Sequence, residues 1–86
     1  MVIERFKNGD PQPIGERFRA EGRMMPDGVA YHASWVDRAQ MRCFQLMEAP
    51  SAESLDAWIC CWNDLVDFEV VPVLPSAEFW TAIASQ

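Results

Sequence analysis

The sequence has no long apolar run, and this bears on where the chain works. Nowhere among its 86 residues do apolar side chains approach the roughly 20 consecutive positions that a membrane-spanning helix needs. The N-terminal stretch MVIERFKNGD meets charge after three residues, so no signal peptide is expected. We therefore expect a cytoplasmic protein that does not use a membrane as a partner.

Basic residues are also scarce. Seven Lys and Arg stand against 13 Asp and Glu, which gives a formal net charge of −6. Nucleic acids and anionic lipid surfaces attract proteins that present positive charge. We expect no nucleic-acid partner.

Cysteine and histidine are too few and too unevenly spaced for a metal centre. Three cysteines form no CxxC pair, and the chain has one histidine, His32. Cys60 and Cys61 are adjacent in a helical pattern, so their side chains leave the helix about 100° apart. No glycine-rich nucleotide motif is present either. We expect no metal, no cofactor and no disulfide framework.

The sequence does contain alternating strand and helix signals, and its length predicts a single domain over residues 1–86. Composition and turn residues predict strands at 1–7, 29–37, 41–48 and 68–74. Helices are predicted from Asp10 to Gly22, over 51–65, and from Pro75 onward. The second helix has the clearest pattern, because Leu55, Trp58, Ile59 and Trp62 recur at helical spacing behind the capping residue Ser51.

This order of elements predicts a fold class. Two strand-helix-strand units that share a central hairpin are typical of the ferredoxin-like βαββαβ arrangement. Right-handed crossovers then give an α+β fold with a four-stranded antiparallel sheet and two helices on one face. A short C-terminal helix follows.

Both faces of the predicted sheet carry apolar residues. In the first hairpin strand, Tyr31, Ala33 and Trp35 alternate with a set that includes Val36. An antiparallel sheet wetted on one side would show a polar alternate set instead. A second copy of the chain, packed sheet to sheet, is the economical cover, so we expect a homodimer.

Three stretches carry a resemblance to a known family: MVIERFK, the hairpin SWVD…RCFQLMEAP, and WNDLVDFEVVPVL. In them the chain resembles DUF3303, a family of small bacterial proteins of unknown function in the dimeric α/β-barrel group. The resemblance covers nearly the whole chain and implies a ferredoxin-like fold and dimerisation. More distant relatives in that group include cofactor-free monooxygenases, muconolactone isomerases and haem-degrading enzymes.

The candidate site residues lie in the hairpin. His32 is the candidate general acid or base, because its ordinary pKa is the only one between pH 5 and 8. A hydrogen-bonded sheet histidine without catalytic work is the competing interpretation. Alternation places Ser34 on the same face as His32, about 6 to 7 Å away, too far for a nucleophile–base pair.

Side chains on the face away from the helices would line a dimer interior. Candidate ligand contacts are Tyr31, Trp35, Phe44 and Gln45.

Three strand glutamates, Glu4, Glu48 and Glu69, are a further possibility for acid–base chemistry. A carboxyl facing a closed barrel would have a raised pKa. Ion pairs with Arg5 and Arg42 are the favoured interpretation.

Three functions follow as hypotheses. The first is a homodimer that binds a small apolar or aromatic molecule, either between sheet and helices or at the dimer interior. The second is a cofactor-independent isomerase or monooxygenase that uses His32. The third is a purely structural or interaction dimer with a filled core.

Overall fold

The computed structural model describes residues 1–84 and has the ferredoxin-like α+β architecture. Its strands are β1 (Val2–Phe6), β2 (Ala30–Asp37), β3 (Arg42–Glu48) and β4 (Val66–Val70). Its helices are α1 (Gln12–Glu21), α2 (Ala52–Ile59) and α3 (Ser76–Ala84). The strands form one antiparallel sheet in the order β2-β3-β1-β4. The predicted fold class is confirmed.

The core lies between the sheet and the helices α1 and α2. Val2, Trp58 and Trp62 form its centre at 1%, 2% and 5% exposure. Ile14 from α1 and Leu55 from α2 pack against this centre. The side of the sheet that faces these helices is called the inner face below, and the opposite side is the outer face.

Helix α1 is held at its ends and by one ion pair. Asp10 Oδ1 accepts a hydrogen bond from the backbone N–H of Gln12 at 3.0 Å, and Gly22 ends the helix with φ at +69°. Arg17 makes two hydrogen bonds of 2.7 Å to the carboxylate of Asp64. No residue of α1 is fully buried, so the helix does not fill the space beneath it.

Two of the predicted elements have different boundaries in the structure. Helix α2 ends at Ile59, and hydrogen-bonded turns carry residues 60–65 into the sheet; Trp62 still reaches the core from one of these turns. Strand β4 covers Val66–Val70 rather than 68–74. Val71 still donates to the Met1 carbonyl, but Pro72 has no N–H with which to extend the ladder.

A bulge in β2 changes which side chains share a face. Tyr31 pairs with Met47 and Ala33 with Leu46, so β2 has one extra residue between them. Tyr31 consequently lies on the inner face with Ser34, and its Oη is 2.7 Å from the Ser34 Oγ. The prediction that Tyr31, Ala33 and Trp35 share one face is wrong for Tyr31, because simple alternation does not cross a bulge. His32 is the extra residue of this bulge and has no partner in the β3 register. Simple alternation, which predicted His32 and Ser34 on one face, therefore does not apply to this pair.

The outer face carries an apolar strip that residues 1–84 cover only in part: Ile3, Phe44 and Leu46 are half-buried, and the Arg42 guanidinium lies 5.0 Å from the centre of the Phe44 ring. The strip consists of Ile3, Trp35, Phe44 and Leu46, and Trp35 is 56% exposed. Helix α3 buries none of its residues and exposes Phe79, Trp80 and Ile83. No helix within residues 1–84 combines the length and the apolar content that a bilayer crossing requires.

Candidate ligand cleft

A cleft of about 380 Å³ opens between α1 and the inner face of the sheet. Ile14 and Phe18 of α1 form one wall, and Phe6, Val36 and Trp62 line it from the strands and from the turn after α2. This volume is within the range of small-molecule sites in proteins, about 300 to 1,000 Å³. The cleft is mostly apolar, with a few polar groups on its floor.

The floor of the cleft is a pair of buried polar side chains. Glu4 of β1 is 6% exposed and Gln45 of β3 is 7% exposed. The Gln45 Nε2 donates a hydrogen bond to the Glu4 Oε1. The other amide atom, Gln45 Oε1, is buried without a hydrogen-bond partner among the residues that the structure describes.

Burial changes the acid–base properties of this floor. Removal from water raises the pKa of Glu4 from 4.5 to about 7, although the Gln45 hydrogen bond and the charge of Arg23 act in the opposite direction. Burial and, second, the charge of Glu4 raise the pKa of the neighbouring Cys43 thiol to about 11. Near neutral pH the floor therefore holds a carboxyl that can gain or lose a proton and a thiol that stays protonated.

Arg23 brings positive charge to the cleft, and the core tryptophans position it. Its backbone carbonyl accepts hydrogen bonds from the indole Nε1 of Trp58 at 2.9 Å and of Trp62 at 3.1 Å. Its guanidinium lies 3.6 Å from the centre of the Tyr31 ring and 5.2 Å from that of Phe18. These contacts place a cation beside aromatic rings at the edge of the cleft.

The structure divides the predicted ligand residues between two faces. Gln45 is on the floor of the cleft, and Tyr31 stacks against the Arg23 that lines it. Trp35 and Phe44 pair with each other across the hairpin on the outer face. The four residues therefore do not form a single site within one chain.

His32 lies outside the cleft. Its side chain is 45% exposed, and its Nε2 is 3.4 Å from the Glu48 Oε1. It borders a separate surface depression with Leu46, Val73 and Leu74.

The three strand glutamates have different partners. Glu69 pairs with Arg5 at 3.2 Å, which confirms the ion-pair interpretation for this residue. Glu48 faces His32 instead of an arginine, and Arg42 pairs with Asp37 at 2.9 Å.

The ion-pair interpretation is wrong for Glu4, which is buried in the cleft and makes its side-chain hydrogen bond with Gln45. The sequence holds a signal for this placement. Val2, Glu4 and Phe6 alternate along β1 and so share the buried face. Gly15, Arg23 and Cys43 also line the cleft, and no sequence pattern marks them as a group.

The cysteines do not meet in space as a metal site. Cys43 is buried, Cys61 is half-buried and Cys60 is exposed. Residues 1–84 contain no group of three or more His, Cys, Asp or Glu side chains arranged to hold a metal ion.

Comparison with known proteins identifies the family. A family model described as Domain of unknown function (DUF3303) matches residues 1–86. The chain belongs to DUF3303. No curated protein and no solved structure matches it significantly.

In this DUF3303 chain, the inner cleft is therefore the feature from which a function can be inferred. The cleft combines apolar walls, a carboxyl with a pKa near neutrality and an amide oxygen that no donor among residues 1–84 reaches. Such a set can hold an apolar molecule and orient one polar group on it.

Proposed function

We propose that the chain binds a small apolar or aromatic molecule in the cleft between α1 and the sheet. The observation that carries this proposal is the apolar cavity of about 380 Å³ above the buried Glu4–Gln45 pair. Small-molecule sites are mostly apolar clefts with a few polar groups that orient the ligand, and this cleft has that composition.

Gly15 supports the proposal from the helix side. A Cβ placed on Gly15 would have no atom within 4 Å outside its immediate neighbours, so the space beside this part of α1 is unfilled. Phe18, one turn further along α1, is 44% exposed although it lines the cleft. A bound apolar molecule would remove this ring from water.

The test is an NMR titration of the ¹⁵N-labelled chain with two single-ring probes, p-cresol and p-xylene. We expect saturable shifts of the Trp62 indole Nε1–H and of the Val36 amide, because both residues line the cleft. Gly15→Leu, which fills the cleft, should abolish them. Ala20→Leu adds the same side chain at an exposed position of α1 and should leave binding intact. Absence of cleft shifts with both probes would contradict the proposal.

We also propose that two copies of the chain associate through their outer faces. The support is the strip of Ile3, Trp35, Phe44 and Leu46, in which Trp35 is 56% exposed, together with α3, none of whose residues is buried against the rest of residues 1–84. A nine-residue helix is marginal in water unless its apolar side is packed. A second sheet and its helix would cover both surfaces.

Light scattering coupled to size-exclusion chromatography tests this association. We expect a dimer at chain concentrations of tens of micromolar. This is the order of magnitude at which a specific interface above ~1,000 Å² is expected to form. Trp35→Glu should shift the population to monomer while the circular dichroism spectrum stays unchanged. Ala39→Glu, in the exposed hairpin turn, is the matched charge control and should remain dimeric. A monomeric wild-type chain at these concentrations would exclude the dimer.

Acid–base catalysis on the bound molecule is a second candidate function. It is favoured by the position of Glu4 in the cleft with a pKa of about 7, close to the value that suits a general base at neutral pH. In such a step a substrate C–H bond would break, its proton would pass to the Glu4 carboxylate, and the electron pair would stay on the substrate as an enolate. His32 stays a predicted acid or base for a site outside this cleft.

Deuterium incorporation into phenylacetone, an enolisable aryl ketone, tests this second candidate. Catalysed exchange in D₂O that is lost in Glu4→Gln and retained in His32→Gln would support a cleft enzyme. The reverse pattern would support His32. If the wild-type chain gives exchange only at the rate of the buffer, acid–base catalysis at this carbon is contradicted, and the proposal of ligand binding is unaffected.

A further inference from the structure

The polar atoms of the cleft differ in whether they already have a partner. The Glu4 Oε1 accepts from Gln45, and the Ser34 Oγ is 2.7 Å from the Tyr31 Oη. Gln45 Oε1 is different: it is buried, it belongs to a residue that is 93% removed from solvent, and no described donor reaches it. A buried acceptor left unsatisfied is costly, so native structures nearly always supply a donor from protein, water or ligand.

We propose that the molecule bound in the cleft carries a neutral hydroxyl group on an aromatic body, and that this hydroxyl donates its hydrogen bond to Gln45 Oε1. The inference rests on the proposed function, since it specifies the ligand of the same cleft. It adds the chemical class, a phenol or aromatic alcohol, and names the residue that selects it.

The charges around the cleft favour a neutral donor over an ionic one. An ammonium group would meet the positive charge of Arg23, which lines the cleft together with Arg38 and acts on the Glu4 carboxyl. A carboxylate would have to sit against Glu4 and offers no hydrogen to Gln45 Oε1. A hydroxyl donates one hydrogen bond and can accept another, so it suits Gln45 whether Glu4 is protonated or ionised.

The walls of the cleft fit the aromatic body of such a ligand. Three aromatic residues, Phe6, Phe18 and Trp62, line the cavity. Aromatic rings pack edge-to-face or offset against one another with an energy beyond their area alone. The hydroxyl would then point to the floor and the ring would lie between the walls.

Affinity measurements with the same two probes separate this inference from the proposed function. In p-xylene a methyl group replaces the hydroxyl of p-cresol at similar size. The measured quantity is the preference for p-cresol, expressed as the dissociation constant of p-xylene divided by that of p-cresol. We expect this ratio to fall at least about tenfold in Gln45→Met, because the buried acceptor is removed. Gln40→Met, at an exposed position in the hairpin turn, should keep the wild-type ratio.

A wild-type measurement covers the case in which Gln45→Met does not fold. The side-chain carbonyl ¹³C resonance of Gln45 should shift on addition of p-cresol and stay in place with p-xylene. An unchanged ratio in the Gln45 variant, or an unmoved carbonyl with bound p-cresol, would overturn the inference while binding in the cleft stands. Failure of both probes to bind would remove the proposed function itself.

Discussion

Replacing the buried Glu4 carboxyl with an amide should change how the stability of the chain depends on pH. Burial raises the pKa of Glu4 from 4.5 to about 7. The folded state therefore binds a proton more tightly than the unfolded state, and this group's favourable contribution is complete below pH 4.5 and lost as pH rises through 7. At 1.36 kcal/mol per pKa unit, the rise from 4.5 to about 7 corresponds to about 3 kcal/mol.

Urea denaturation followed by tryptophan fluorescence measures this effect, since Trp58 and Trp62 are in the core. Glu4→Gln keeps the size of the side chain and an oxygen that can accept from Gln45. Relative to the wild type, this variant should gain about 2 to 3 kcal/mol of unfolding free energy between pH 5 and pH 8. Subtracting the two proteins cancels the titrating groups that do not interact with Glu4. A difference that stays constant over this range would refute the assignment of a raised pKa to Glu4.

Three further measurements test the packing and the surface. Trp58→Ala should cost about 3 to 5 kcal/mol in unfolding free energy, because a 2%-exposed indole leaves a cavity; an unchanged melting temperature would show that this ring is not in the core. Iodoacetamide should modify Cys60 and spare Cys43, which is buried and has a pKa of about 11, and peptide mass mapping would detect the opposite order. Arg5→Ala should cost less than about 1 kcal/mol in thermal denaturation, because its pairing with Glu69 is half exposed; a larger loss would point to another role for Arg5.

Much of the fold could be predicted from local patterns. The spacing of Trp58 and Trp62 indicated the core helix, and the helix cap at Ser51 is present, with its side chain accepting from the backbone N–H of Ser54 at 3.2 Å. The element ends were less predictable. Trp62 has the helical spacing from Trp58 that predicts a position in the core. It lies in a turn and not in the helix, and its ring still packs in the core.

The candidate site was predictable only in part, because its members come from distant segments. Gln45 was singled out from the hairpin, but its partner Glu4 is 41 residues away in the chain. Alternation along β1 predicts that Glu4 lies on the buried face. It does not predict whether the side-chain partner of Glu4 is an arginine or an amide. The bulge at His32 is a second example, since one extra residue in β2 moves Tyr31 to the opposite face from Trp35.

Local patterns in the sequence are enough to predict the class of fold, the order of strands and helices, and an apolar excess on both faces of the sheet. These follow from periodicity and turn chemistry, which act over a few residues. Three other features depend on how the elements pack: α1 stands off the sheet, Glu4 and Gln45 meet beneath it, and burial raises the pKa of Glu4 to about 7. A cavity and a desolvated carboxyl depend on how separate elements pack against one another, and no local pattern encodes that distance.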